Sequence, residues 1–224
     1  MYLINIIKVI IFLSLLFLNS CSGAAPEIGQ IVWQINFLKS PEKTEILPTL
    51  SLFILVEDED GITDIESLYI IHDESELFWK LNSETWITKV ISGKNWVGSN
   101  KISMNDHSSL PSGKYRIMVI DKAGDRDSLT INIASGMLEL PDVYSFPELI
   151  IGSDIIIDSG FSDNTLRVYD EPMELLKNLK IESGTINRSI IMKDTNNKAH
   201  WISIYSYNPD EGTGFVCGPY LINN

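Results

Sequence analysis

The stretch LPSGKYRIMVIDKAGDRDSLTINI, Leu110 to Ile133, carries the pattern that decides the fold. Tyr115, Ile117 and Val119 alternate with Lys114 and Arg116; beyond the turn at Gly124, Leu129, Ile131 and Ile133 alternate with Ser128, Thr130 and Asn132. A period of two is that of a strand, whose successive side chains point to opposite faces, so these are two half-buried strands joined by a turn. Working outward, further short strands read as Gln30 to Leu38, Thr49 to Val56, Glu66 to His72, Glu76 to Leu81 and Trp86 to Ile91. Pro41, Asp60-Gly61, Gly93, Gly98 and Pro111 punctuate them. No helix of ordinary length intervenes, and serial strands with regular turns predict a β-sandwich over residues 30–135.

After Gly136, Leu140-Pro141-Asp142 and Phe146-Pro147 break the pattern, and residues 136–147 read as a linker. Residues 148–224 then read as a smaller β-rich domain, with strands at Leu149 to Ile151, Asp154 to Asp158, Thr165 to Tyr169, Ile186 to Lys193, His200 to Tyr207 and Phe215 to Ile222. Asp194 to Lys198 reads as a hairpin turn, since Asn tolerates the positive φ that such turns need. Met173 to Leu179 reads as one or two helical turns, because Leu175, Leu176 and Leu179 share a face at helical spacing. In His200 to Tyr207, Trp201, Ser203, Tyr205 and Tyr207 fall on one face and Ile202 and Ile204 on the other. That division fits a sheet with an exposed aromatic face, and it equally fits a buried central strand.

Leu110-Pro111-Ser112-Gly113-Lys114-Tyr115, the following strand and Asp121-Lys122-Ala123-Gly124-Asp125 resemble the penultimate strand, turn and last strand of bacterial immunoglobulin-like and fibronectin type III-like domains. Val56 to Ile65 is similar to an early strand and acidic loop of the same domains. The resemblance implies an all-β chain whose N-terminal half is an immunoglobulin-like sandwich. It also implies that the tyrosine makes a corner, its hydroxyl bonding backbone just upstream. Trp79 or Trp86 is the candidate for the large core aromatic of such sandwiches.

At the N-terminus, Lys8 precedes the apolar run Val9 to Leu18, which ends in Asn19-Ser20-Cys21. The layout is that of a secretory signal over residues 1–20, and the run is short of the ~20 apolar residues that span a bilayer. Leu18, Ser20 and Cys21 resemble the lipobox of bacterial envelope lipoproteins, with Asn19 where a small apolar residue is usual. The resemblance implies cleavage before Cys21, acylation of that cysteine, a membrane anchor through acyl chains such as palmitate, and residues 21–29 as a tether. The same resemblance implies, from Ser22 rather than Asp after the cysteine, an outer-membrane location over the inner membrane.

The formal charge of −13 and pI near 4.6 exclude nucleic acid as a partner, since phosphate binding needs a basic surface. Cys21 and Cys217 are the two cysteines, so lipidation of the first leaves no intrachain disulfide. Cys217, in the apolar run Phe215 to Gly218, reads as a buried inert thiol. No metal-spaced histidine pair, serine elbow or phosphate-cradling glycine loop is present, and the chain reads as non-catalytic.

Two candidate sites remain. Asp58, Asp60 and Asp64 crowd one loop with Glu57, Glu59 and Gly61, and such carboxylates gather the oxygen ligands calcium requires; a solvated Asp-Gly turn is the other reading. The spacing does not fit the helical calcium loop, where Val56 and Ser67 would stand at the first and last ligand positions. Asp121, Asp125 and Asp127 form a similar group, and calcium gains if both loops meet at one end of the sandwich. Trp201, Tyr205 and Tyr207, beside the loop Asn208 to Gly214, form a candidate platform for stacking on sugar. The expected function is a non-catalytic binding or assembly module with an envelope protein or glycan partner; the alternative is a glycan-binding accessory lipoprotein of a surface polysaccharide system.

Overall fold

The computed structural model describes residues 23–42, 45–142 and 146–222. The expected signal at 1–20 and Cys21 lie outside the described residues. The first half forms eight strands: β1 (Glu27–Lys39), β2 (Ile46–Glu57), β3 (Ile65–His72), β4 (Leu77–Leu81), β5 (Ile87–Ile91), β6 (Lys94–Ile102), β7 (Gly113–Asp121) and β8 (Arg126–Ile133). One layer runs β1-β2-β6-β5 and the other β4-β3-β7-β8. Lettered in chain order, these are the A-B-E-D and C′-C-F-G sheets of an immunoglobulin-like sandwich.

The inward positions are those the alternation marks, except Leu129, which is 41 % exposed on β8. Leu50, Leu52 and Ile54 of β2 face Leu68 and Ile70 of β3 and Tyr115, Ile117 and Val119 of β7, all buried. The Tyr115 hydroxyl donates to the Pro111 carbonyl at 2.7 Å, which is the tyrosine corner. Ile117, two residues on, is fully buried where antibody domains carry the second cysteine of the inter-sheet disulfide. Neither candidate tryptophan is the central aromatic, since Trp79 and Trp86 pack only partly buried against the core and the Tyr115 ring is enclosed instead. Trp79 lies beside that ring at 6.3 Å and donates its Nε1 proton to the Ser103 carbonyl at 2.9 Å.

β6 escapes a reading that treats glycine as punctuation. Ser92 and Gly93, with φ of 52° and 77°, do make the β5–β6 turn. Gly98, however, lies within β6, because a Cβ there would overlap the Leu52 carbonyl of β2.

The second half adds β9 (Glu148–Ile151), β10 (Asp154–Asp158), β11 (Asp163–Tyr169), β12 (Leu175–Ile181), β13 (Gly184–Asn187), helix α1 (Arg188–Asp194), β14 (Trp201–Asn208) and β15 (Thr213–Leu221). Two sequence expectations are corrected here. The stretch read as helical turns is the edge strand β12, whose Leu179 and Ile181 pair with Leu166 and Asn164 of β11. A helix of one or two turns is marginal in water, whereas the open edge of β11 supplies a full ladder of backbone bonds. The strand expected over Ile186 to Lys193 ends at Asn187, whose side chain accepts from the Ser189 amide at 2.9 Å and caps α1. Asn196 and Asn197, with φ of 51° and 59°, make the turn that follows.

The two halves meet in one sheet. β15 runs parallel to β1, with Phe37 beside Phe215, so the strand order is β12-β11-β14-β15-β1-β2-β6-β5 across the chain. Residues 136–147, read as a linker, thus connect two groups of strands that share a sheet. Phe215 is the pivot of the seam: its ring lies 5.9 Å from Phe37, 5.2 Å from Phe146 and 4.8 Å from Phe161. Phe37 and Phe215 point to the same face as the buried Leu50 and Ile204, and β4-β3-β7-β8 and β13-β10-β9 both pack on that face.

Candidate functional site

With both smaller sheets on one side, the opposite face of the eight-stranded sheet is left without a covering layer among the described residues. Residues directly opposite across a ladder share a face. Tyr205 is opposite Thr165 and Val216; Asn36 is opposite Gly214 and Thr49; Val32 is opposite Phe53; and Leu55 is opposite Trp96. The open face therefore runs from Trp201, Tyr205 and Tyr207 on β14 through Gln34 and Asn36 on β1 to Phe53 and Trp96. This resolves the two readings of β14: Ile202 and Ile204 are completely buried, while Trp201, Tyr205 and Tyr207 are half-buried on the other side.

Tyr205 is held from two directions. Its hydroxyl accepts from Gln34 Nε2 at 2.9 Å, the same nitrogen lies 3.0 Å from Asn36 Oδ1, and the Arg167 guanidinium sits 4.5 Å from the ring centroid. A guanidinium over a tyrosine face contributes about 0.5–1 kcal/mol where it is partly exposed. Gly214 leaves the room for this cluster, because a Cβ would run into Asn36, Gln34 and the Tyr205 ring. Trp201 is fixed separately, its Nε1 proton donated to the Glu171 carbonyl at 3.3 Å. Four residues along a strand place it roughly 13 Å from Tyr205, so the aromatics are spaced stations and not one stack. Arg167, Gln34, Asn36 and Gly214 join the suspected aromatics only because β11, β1 and β15 flank β14 or one another, a pairing no local pattern announces.

The acidic loops do meet at one end of the sandwich. The Lys122 amide donates to the Asp64 carbonyl at 2.9 Å, and Ile65 is opposite Asp121 in the β3–β7 ladder. One carboxylate oxygen from each of Asp58, Asp60 and Asp64 lies within 4.8 Å of the others. Asp58 Oδ1 accepts from the Asp60 amide at 2.7 Å, and Asp121 Oδ1 from the Asp125 amide at 2.8 Å. Asp58 Oδ2 and Asp121 Oδ2 are shut from solvent without a hydrogen-bond partner. Asp127 belongs to the same end but is committed elsewhere, its Oδ2 accepting from the Ile28 amide at 2.8 Å.

Cys217, Ser108 and His72 are each engaged within the fold. Cys217 is 1 % exposed and burial pushes its thiol up to about 12, so the thiolate that attacks or binds metal is not formed near neutrality. Ser108, His107 and Asp106 are consecutive beside the open groove between Leu38 and Leu140, but Ser108 gives its hydroxyl proton directly to Asp106 at 2.6 Å and not to an imidazole. His72 is enclosed: Nδ1 accepts from the Ser75 amide at 3.2 Å, which leaves the proton on Nε2, 3.0 Å from the Ser112 carbonyl.

No known family profile matches the chain, and no curated protein matches it. Among solved structures, similarity is found to Tp47, the 47-kilodalton lipoprotein of Treponema pallidum, at 10% identity and TM-score 0.40 over 88% of this chain. The chain spans 51% of the length of that lipoprotein. A second similarity is to the complex of Dpr11 IG1 with DIP-gamma IG+IG2, at 9% identity and TM-score 0.26, covering 86% of this chain and 98% of that one.

Proposed function

We propose that this chain is an envelope lipoprotein, anchored through acyl chains on Cys21 with the outer membrane favoured, and that it acts without catalysis as a binding or assembly module. The observation that carries the reading is the one-sided sheet: eight strands present a broad face of half-buried aromatic and amide side chains with no layer over it among the described residues. Antiparallel sheets tolerate one wet face, with polar side chains turned outward; here that face carries Trp201, Tyr205 and Tyr207, large rings left half-buried. Aromatic anchors of this kind concentrate binding energy at protein interfaces. The enclosure of Cys217 and the direct Ser108–Asp106 bond support a role without chemistry.

The experiment is photo-crosslinking from envelope, with the crosslinker at Tyr205 and, as a control, at Phe78 on the outer face of the other layer. A discrete protein adduct from Tyr205 alone is the expected result. Equal labelling from both positions, or none, removes the reading. Replacing Cys21 with Ala should release the protein from the membrane fraction, and retention would remove the anchor.

The Tyr205–Arg167–Gln34 cluster favours one second reading, a glycan-binding accessory of a surface polysaccharide system. Stacking on an aromatic face combined with amide and guanidinium donors suits sugar hydroxyls. A glycan array tests it: signal that disappears in Tyr205→Ala selects this reading over a protein partner.

A further inference from the structure

Beyond that reading, and resting on its membrane anchor, we propose that the outer face of the layer β4-β3-β7-β8 lies on an anionic bilayer surface. The open face of the eight-stranded sheet is thereby turned away from the membrane, toward its partner. Across the ladders Ile71 is opposite Phe78 and Arg116, and Tyr69 is opposite Lys80 and Met118, so these side chains share one face. It is the outer face, since the alternate residues Leu68, Ile70, Tyr115 and Ile117 are fully buried. Phe78 is 64 % exposed, its ring lies 6.2 Å from that of Tyr69, and Lys80 Nζ sits 5.4 Å from the Tyr69 centroid. Lys114 and Arg126 extend the face, opposite Asn132 and Ile120.

Charge indicates what covers it. The chain carries −13, yet this face presents Lys80, Lys114 and Arg126, none of them in an ion pair among the described residues. Carboxylates stand at its two ends. Glu66 shares a shallow hollow with Lys80 and Lys122, while Asp73, Glu74 and Glu76 lie in the β3–β4 connection, where Arg116 bonds both oxygens of Asp73 at 2.7 and 3.1 Å. Exposed rings among cations on flexible stems suit the headgroup boundary, where the ring settles inward and the cation reaches the phosphates.

The course of the chain points the same way. Gly23 lies against the Asp60 carboxylate, and the Ile28 amide is bonded to Asp127 of β8, so the segment 23–28 leaves from the end of this layer. Cys21 is two residues further, within about 7 Å, and β3 from Ile65 to Ile71 spans about 20 Å, so the whole face is within reach of an anchored bilayer. Standing on that end would press Asp58, Asp60, Asp64 and Asp125 against anionic headgroups. Lying on the β4-β3-β7-β8 side replaces them with Lys80, Lys114 and Arg126.

The test places the full-length protein on vesicles of phosphatidylcholine with phosphatidylglycerol and reads lipid contact at each face. Cys217 is enclosed and unreactive, so a fluorescent maleimide is directed to Thr130→Cys, opposite Arg116, or to Ser51→Cys, opposite Gln34 on the open face. Expected is quenching of the label at 130 by nitroxide-bearing lipid, with the label at 51 left bright. Lys80→Gln combined with Lys114→Gln should lower that quenching at least about fivefold, since one cation near an anionic surface is worth about that factor. The same loss should follow in about 1 M salt, where the Debye length falls to about 3 Å. Quenching at both positions alike, at 51 alone or at neither overturns the proposal, as does quenching that persists in the charge variant or on pure phosphatidylcholine. A discrete protein adduct from the Phe78 crosslinker also overturns it, making this face a protein interface instead. Label taken up by the chain with no introduced cysteine would reveal an unacylated Cys21, a failure of the anchor that the difference between the two positions does not register.

Discussion

Phe215→Ala probes the seam directly. The side chain is 2 % exposed and touches three other rings: Phe161 from the second half, Phe146 from the connecting segment and Phe37 from the first half. Truncating a buried phenylalanine costs about 3–5 kcal/mol, set by how far the cavity collapses; opposed rings on several sides put this site toward the upper end. Against a total stability of about 5–15 kcal/mol this is a large fraction, corresponding to a melting shift of about 6–20 °C for a chain of this size. Because β15 is hydrogen-bonded to β1 as well as to β14, the loss should fall on both halves together. Urea unfolding followed by far-UV circular dichroism and tryptophan fluorescence checks this, since Trp201 reports the second half and Trp33, Trp79, Trp86 and Trp96 the first. The expected result is a single transition moved to lower urea, with coincident probes and unchanged slope. Phe215→Leu, which keeps most of the volume, should cost less than about 1.5 kcal/mol. Were the Trp201 transition to move alone, the halves would be independent domains and the cooperative seam would be refuted.

Tyr115→Phe removes only the hydroxyl bonded to the Pro111 carbonyl and should cost about 1–2 kcal/mol in urea unfolding; under 0.5 kcal/mol would mean that the corner is ornamental. Gly98→Ala forces a Cβ against the Leu52 carbonyl, an overpacking cost of at least about 1–3 kcal/mol that should appear as lost amide protection in β2 and β6. Burial raises Cys217 and Tyr220 to about 12 and Tyr115 higher still, so the native chain retains protons that the unfolded chain releases from about pH 9 upward. Stability should therefore fall as pH climbs through that window, and Cys217 should be inert to Ellman's reagent at pH 8 until the protein is unfolded; prompt native reaction would contradict the burial.

The strand pattern was largely legible because an antiparallel strand with one wet face writes its period into the sequence. Tyr115, Ile117 and Val119 face inward where alternation puts them, and the corner at Tyr115 forms where the local motif implies it. Misreadings fell where a local signal had two causes. Gly98 looks like a turn but serves close strand approach; Leu175, Leu176 and Leu179 fit a helix by spacing but feed an edge strand; and Asn187 ends a strand because its side chain caps a helix.

The sequence by itself determined the all-β class, the order of most strands and which side chains of each share a face, because these depend on neighbours two residues apart. Only the tertiary structure decided which face of β14 is covered, that β15 joins β1, and that the acidic loops after β2 and β7 lie at the same end of the sandwich. Those outcomes rest on contacts between residues far apart in the chain, such as Gln34 with Tyr205. A period of two carries no record of which strand lies alongside.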